Sequence, residues 1–517
     1  MPFTILALAP FTSLNNTAWR DDPVVIDAQT VDTVIERMKP MFSIPVTREI
    51  CPEGSLDITC ARMKDFHPDG LVRNNTFLKN LMEAKGFIDD SERKGMAVEG
   101  IVSGLKQWPD LPSLTVPLKS GSPQSNSSSA VDNILKMVAV PQDSAASAGE
   151  AASLAGQIDS IVQQNLRHIF FHDQFRSIEA TWRGLQFLVK QALAETPVRV
   201  QIVPVTPDTL EETLEALLPK LVSSLPSLIM VDLGFDISAR SLDLLEKIAS
   251  FSETLLVPCL TWIKPGFFFV DTWQELNKLP FLPHYMDDMG FAKWRSLREK
   301  PSARWLSLSC NRFLTRYPYG SDNPPRLTRF EEEDPLWISP VWAAGALMVK
   351  SIARCGWPTR FSVFSEVFLE DLPLHTDVTG KSLTTEMFIN EDRADQLIRC
   401  GISPLAGSYN ADTACMPRET TAGNATLSYQ LFVSCISRFI LWCRDHFSGG
   451  ITAQELEDTL KKAFSLFWQQ SSQAGPEGLE ITTTKTGPDE RIIVSLSIKP
   501  SRAILPTADR LDMEFYW

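Results

Sequence analysis

A few places in this chain carry side chains of the kind that do chemistry. Gly380-Lys381-Ser382 ends as a phosphate-binding loop ends, but such a loop needs an opening glycine whose backbone can wrap the phosphates. The position that would hold it is His375, so an ordinary turn is expected. His168 and His172 stand four apart, which on a helix brings both imidazoles to one side and could begin a metal site. Ile169, Phe170 and Phe171 lie between them and no third Cys or His is near in sequence, so partly buried core histidines are expected instead. Cys435 and Cys443, two helical turns apart, suit a packed apolar stripe as well as any ligand pair. The acidic run Glu331-Glu332-Glu333-Asp334 follows Arg326 and Arg329 and reads as a solvated loop balanced by its own arginines. No G-x-S-x-G elbow accompanies the six histidines, so a hydrolase triad, which would have to be assembled in space, has no support in sequence. No catalytic, cofactor-binding or metal-binding residue is assigned.

The whole chain agrees with that emptiness. Its 517 residues exceed one ordinary hydrophobic core, and two or three domains are expected. With 44% hydrophobic and 22% charged residues it has a water-soluble composition, and no apolar run approaches the roughly 18 residues of a membrane span. Residues 1–10 are apolar but lack a basic leader, and read as a strand rather than a signal peptide. Nine scattered cysteines without C-x-x-C imply reduced thiols and a cytoplasmic protein. A net charge of -14 opposes nucleic-acid binding, which depends on displacing counterions from phosphates.

Three regions follow from composition. Residues 1–103 alternate strand-like pieces (3–9, 24–27, 41–46, 56–60) with helices over 29–38 and 68–87. Residues 104–157 are rich in Ser, Pro, Gly and Ala and read as a flexible linker. Inside it, 131–140 sets Val131, Ile134, Leu135 and Val138 at helical spacing, ahead of Pro141. Residues 158–517 begin with a helix over 158–194 and then alternate: strand 198–205, helix 209–221, strand 227–233, helix 238–251, strand 254–260. That alternation predicts βα units and a partly parallel sheet. Further helices are expected over 340–354, 392–400, 424–446 and 452–470, a strand-like piece over 387–389, a hairpin over 480–498 and a last strand near 513–517.

Two segments resist any catalytic reading. Phe291-Ala292-Lys293-Trp294-Arg295-Ser296-Leu297-Arg298-Glu299, then Asn311-Arg312-Phe313-Leu314-Thr315-Arg316-Tyr317-Pro318-Tyr319-Gly320, are dense in cations and aromatics. With Glu179-Ala180-Thr181-Trp182-Arg183-Gly184-Leu185, Glu370-Asp371-Leu372-Pro373-Leu374-His375, Thr385-Glu386 and Gly401-Ile402-Ser403-Pro404-Leu405, they make six ordered pieces. Together these resemble the large sheath subunit (TssC, or VipB) of the type VI secretion apparatus, over about residues 155–517. Met38-Lys39-Pro40, Ser55-Leu56-Asp57-Ile58 and the segment from Met63-Lys64-Asp65-Phe66-His67-Pro68-Asp69-Gly70-Leu71-Val72 to Ala84 are similar, more loosely, to its small sheath subunit (TssB, or VipA).

The resemblance implies both subunits fused in one chain. The implied fold is α/β, with mixed sheets, flanking helices and an N-terminal region intertwined with the C-terminal segment. The implied role is structural: self-assembly into a helical sheath around an Hcp-like inner tube, contraction that ejects the tube, and contact with baseplate proteins. Neighbours would be joined by added strands. Helix 131–140 would be the recognition helix for a ClpV-like AAA+ unfoldase, docking through Ile134, Leu135 and Val138. Lys293, Trp294, Arg295, Arg298, Arg312, Ile492, Val494, Leu496 and Phe515 are the expected inter-protomer positions, an intramolecular role being the alternative for the Trp and Arg side chains. No nucleic acid, membrane insertion or cofactor is implied. Strand 3–9 aligns with one that the small subunit reaches only after an earlier, donated strand, and the tract before Leu228 lacks an expected Phe-Gly-Gly piece. Both departures raise the alternative of a non-contractile, cap or baseplate-associated sheath homologue.

Overall fold

A computed structural model describes residues 2–13, 22–112, 114, 143–192, 196–376, 380–447, 451–471, 475–486 and 491–517. Helix 131–140 and the turn at 487–490 lie outside the described residues. The first strands are β1 (Phe3–Ala9), β2 (Val24–Ile26), β3 (Met41–Pro45) and β4 (Ser55–Thr59). Further along come β5 (Val198–Pro204), β6 (Leu228–Phe235), β7 (Cys259–Ile263) and β8 (Leu306–Cys310). Short pairs β9 (His375–Thr376) with β10 (Ser382–Leu383), and β12 (Ala406–Gly407) with β13 (Ala414–Cys415), flank β11 (Ile402–Pro404). The last are β14 (Gly478–Thr486), β15 (Arg491–Lys499) and β16 (Leu511–Tyr516).

Two compact units interleave along the chain. One comprises Met1–Val34, Ile178–Tyr317 and Pro335–Trp517, the other Ile35–Ser177 and Pro318–Asp334. The first is built on a seven-stranded sheet in the order β11-β8-β7-β6-β1-β5-β2. All its pairings are parallel except that of β2 with β5.

The N-terminal strand is thus interior to a sheet whose other long strands come from residues 198–310. β1 pairs with β5 from Phe3 opposite Val198 to Ala9 opposite Pro204, and with β6 from Ile5 opposite Leu228 to Leu8 opposite Val231. Its sequence has no polar alternation because both faces are covered, and Ile5, Leu6, Ala7, Leu8 and Ala9 are all buried. The edge strands β2 and β11 are short, with three residues each, which limits open pairing there.

Helices pack on this sheet as their apolar spacing dictates. Helix Ala239–Leu255 starts at Ser238, whose Oγ accepts from the Ser241 amide, and buries Leu242, Leu245, Ile248, Ala249, Ser252 and Leu255. That face carries the helix through 254 and 255, which the sequence reading assigned to the next strand; Pro258 then breaks it and β7 starts at Cys259. Helix Pro340–Cys355 has Pro at its start and Gly356 at its end, φ 77°, and is buried nearly all round. Residues 387–389 are not a strand: Met387 is buried from a loop whose amide and carbonyl are both held by the Asn311 side chain.

In the second unit, hairpin β3–β4 is joined by helices Pro68–Asn74, Thr76–Arg93, Val98–Leu105 and Asp143–Phe171. The single helix expected over 68–87 is two, because Asn75 leaves helical geometry to cap the second, its Oδ1 accepting from the Leu78 amide at 3.0 Å. Helix Asp143–Phe171 begins inside the tract read as linker. Alanine favours helix when one face can be buried, and Leu154, Ala155 and Ile158 are buried, with Lys85 paired to Asp159 at 2.7 Å. The expected helix over 158–194 is likewise broken at His172, beyond which helix Asp173–Gln191 starts. The break lets Phe170 and Phe175 meet, with ring centroids 5.5 Å apart, among Phe42, Phe66 and Tyr319.

Candidate functional site

Of the six ordered motifs, the one at 179–185 packs against the exit of the inserted strand. On helix Asp173–Gln191, Glu179 is fully buried; its Oε1 accepts from Arg183 one turn on, at 2.6 Å, and from Arg316 at 3.2 Å. Burial, the largest influence, pushes the Glu179 carboxyl up, but the guanidiniums of Arg316 and Arg183 overcome it and hold the carboxyl below its ordinary value. Trp182 donates its Nε1–H to the Phe11 carbonyl, 2.9 Å away, and its ring meets Phe11 edge-on at 5.1 Å. Gly184 is where Trp342 crosses: a Cβ there would lie 2.2 Å from the indole Cδ1. The motif therefore ties the exit of β1 to helix Asp173–Gln191.

A second node was not legible in sequence. Asp232, on β6, accepts from the indole N–H groups of Trp342 at 2.6 Å and Trp262 at 3.0 Å, with Thr181 at 3.4 Å. Burial drives its carboxyl above the ordinary value, more than these hydrogen bonds lower it. Its only sequence signal is an acid within the apolar run 228–235.

The motifs at 291–299, 311–320, 385–386 and 401–405 contribute contacts around β8 and β11. Asn311, with φ 73°, donates to the carbonyls of Met387 at 2.9 Å and Leu405 at 2.8 Å. Arg312 binds Glu386 through two contacts of 2.7 Å each, a planar fork on a carboxylate. Gly401, φ 83°, leaves only 3.2 Å between an added Cβ and both Ala422 Cα and Arg298 Nε. Arg298 donates to the carbonyls of Ala422 and Arg399 and to Asn424. Trp294 is fully buried against Phe267, Lys293 pairs with Asp243, and Arg295 binds the carbonyls of Met286 and Asp288. Each of these five expected interface positions thus has partners inside the chain.

The C-terminal strands form their own antiparallel sheet, β14-β15-β16. Val494 and Leu496 are buried in the core it shares with helices Leu427–His446 and Ala453–Ser471, and Ile492 and Phe515 pack partly buried against it. β14 and β16 are its two edges.

In the second unit, Asp65 Oδ2 accepts the amides of Ala61 and Arg62, each at 2.9 Å, and Asp69 accepts those of Arg326 and Leu327 at 3.0 and 2.9 Å. Gly70 is required because a Cβ would stand 2.1 Å from the Lys64 carbonyl. The acidic run is a loop exposed at Glu331, Glu333 and Asp334, as expected, but its observed contacts reach beyond Arg326 and Arg329. Glu332 is buried and accepts the Tyr319 amide, Glu333 pairs with Arg167 at 2.8 Å, and the Asp334 carbonyl accepts from Arg176. Arg167 and Arg176 lie on helices distant in sequence, which spacing alone does not reveal.

The residues first considered for chemistry stand apart. His168 is exposed rather than partly buried, because its side of the helix faces water, while His172 at the helix break is partly buried. Lys381 reaches over the Tyr409 ring at 4.4 Å, beside the φ 80° turn at Gly380. Cys443 is buried in the C-terminal core and Cys435 packs on it; burial pushes their thiols up to about 12 and about 11. Among the described residues no three His, Cys, Asp or Glu side chains converge to hold a metal, and no helix is long and apolar enough to cross a membrane.

Comparison with known proteins agrees with the motif order. The tail sheath N-terminal domain family VipB (EvpB) matches residues 152–225 and 225–422, and the type VI secretion system VipA family matches residues 1–100. A curated relative, the type VI secretion system sheath protein TssC1 of Pseudomonas aeruginosa, is 26% identical over 294 residues. That match takes in 51% of this chain and 59% of the relative's length. Among solved structures, a chain of the anti-feeding prophage baseplate is loosely similar, with 12% identity, a TM-score of 0.39, and coverage of 62% of this chain and 76% of that one.

Proposed function

This chain belongs to the type VI secretion sheath family, carrying VipA-like and VipB-like parts on one polypeptide, and from that premise we propose that it is the structural protomer of a contractile sheath. Copies assemble into a helical tube around an Hcp-like inner tube, seated on baseplate proteins, and contraction drives the inner tube out. The role is mechanical rather than enzymatic, and the protein works in the bacterial cytoplasm.

One observation carries the reading: β1, from the VipA-like part, pairs on both sides with strands of the VipB-like part. A building block that transmits force between its two halves needs such shared backbone hydrogen bonding, and fusion holds the halves at one-to-one stoichiometry and high effective concentration. Cohesion between copies would come from strand addition at the edges of the β14-β15-β16 sheet, where backbone groups can be paired by a neighbour.

Electron microscopy of the purified chain tests this: long hollow tubes are expected, and dispersed particles or short rings would refute it. Recycling by a ClpV-like unfoldase through Val131, Ile134, Leu135 and Val138 belongs to the same proposal. Replacing Leu135 and Val138 by Asp should abolish unfoldase capture in a pull-down while leaving the melting temperature unchanged; undiminished capture removes that assignment.

A further inference from the structure

A cavity of about 530 Å³ opens at the N-terminal ends of β1, β5 and β6. Its wall includes Phe3, Ile352, Trp357, Leu431 and Phe467, and its one charged lining residue among those described is Arg438. Helix Leu427–His446 brings Leu431, Cys435 and Arg438 to this wall at the i, i+4, i+7 spacing of a single face. The volume lies within the range of small-molecule sites, which are mostly apolar with a few placed polar groups.

Most other enclosed arginines are paired with a carboxylate; Arg298 and Arg393 have none among the described residues, but each is held by three oxygen acceptors. Arg183 and Arg316 share Glu179, Arg312 chelates Glu386 and Arg360 chelates Glu366. Among the described residues no carboxylate pairs with Arg438; it donates to the Ser227 hydroxyl and, at 3.5 Å, to the Pro2 carbonyl. The second contact is at the limit of a hydrogen bond, and a guanidinium carries five N–H donors in a fork shaped for a carboxylate. Burial lowers its pKa, so its charge is held at a cost that an anion would offset.

We propose that this cavity binds a small amphipathic carboxylate, its anionic end on Arg438 and its apolar body against Phe3, Trp357, Leu431 and Phe467. The chain's net charge of -14 repels anions at long range, so selectivity rests on the local fork and on the apolar wall. An occupant would bridge the start of β1 to helix Leu427–His446 and so favour the strand in its place.

Isothermal titration of the full chain with octanoate and 3-phenylpropanoate, each against its uncharged amide, tests the site. Each carboxylate should bind about tenfold more tightly than its amide, as a charge-assisted pair implies, and Arg438→Met should erase the difference. Phe467→Ala, at a partly buried wall position, should weaken acid and amide alike several-fold. Should Arg438→Met fail to fold, the acid-to-amide comparison on the unmodified chain still decides. Equal binding of acid and amide, or binding of neither, overturns the proposal. Dispersal of self-associated protein as the acids saturate, followed by light scattering, would assign the cavity to a segment of a neighbouring copy and overturn it equally.

Discussion

The position of β1 makes a quantitative prediction that folding and association measurements can both read. Leu6 is fully buried, stands opposite Gln201 on β5 and Ile229 on β6, and packs in the cluster that holds Leu8, Val203 and Ile229. Leu6→Ala leaves a cavity on the sheet face beside a backbone fixed on both sides by its ladders, so little collapse can fill it. The cost should fall in the middle of the Leu-to-Ala range, about 3–4 kcal/mol. If a protease site is placed within Ser120–Ala130 and cut after purification, the N-terminal piece should stay bound to the remainder. Leu6→Ala should then raise the dissociation constant of the two pieces by about two to three orders of magnitude, the same free energy seen as binding. Fluorescence anisotropy of a labelled N-terminal piece measures this, and urea denaturation of the uncut chain should show the matching loss. Val25→Ala, on the exposed edge strand β2, should change either by less than about 0.5 kcal/mol. Wild-type pieces that part on cutting, or an uncut destabilisation with no loss of fragment affinity, would refute the inserted-strand reasoning.

Three further outcomes follow from the polar framework. Glu179→Gln should cost about 3–5 kcal/mol at pH 7 because it removes the buried negative charge that two enclosed guanidiniums share. Since the Glu179 carboxyl is held below its ordinary 4.5, its contribution is present above that pH and fades as pH falls through the lower folded value; the variant's denaturation midpoint should lack that acid slope. Asp232 is raised above its ordinary 3.8, so its contribution has the opposite sign: stability is greatest below that value and declines as pH rises through the folded pKa. Asp232→Asn should remove the decline, with a pH 7 stability within about 1 kcal/mol of wild type or above it, and a loss of several kcal/mol would contradict this. Gly184→Ala should destabilise by at least about 1–3 kcal/mol and change near-ultraviolet circular dichroism, because the new methyl meets the Trp342 indole; an unchanged spectrum and melting temperature would count against that contact.

Much was legible in the chain by itself. Strand β1, the βα alternation after residue 197, the long C-terminal helices and the closing hairpin were readable because apolar periodicity and Pro or Gly punctuation are local properties. The motif order identified the family for the same reason, since residues such as Gly70, Gly184 and Gly401 sit where no other side chain fits. Tertiary structure alone decided the rest. That β1 lies between β5 and β6 depends on pairings across some 190 to 220 residues, and a strand's apolar run says only that both faces are covered, not by what. Asp232 gathers its donors from three distant segments, and Glu333 of the acidic run pairs with Arg167 on a helix far away in sequence. Charge and hydrogen bonding act through space at a few ångströms, whereas spacing in sequence reports only what one helix or strand brings together.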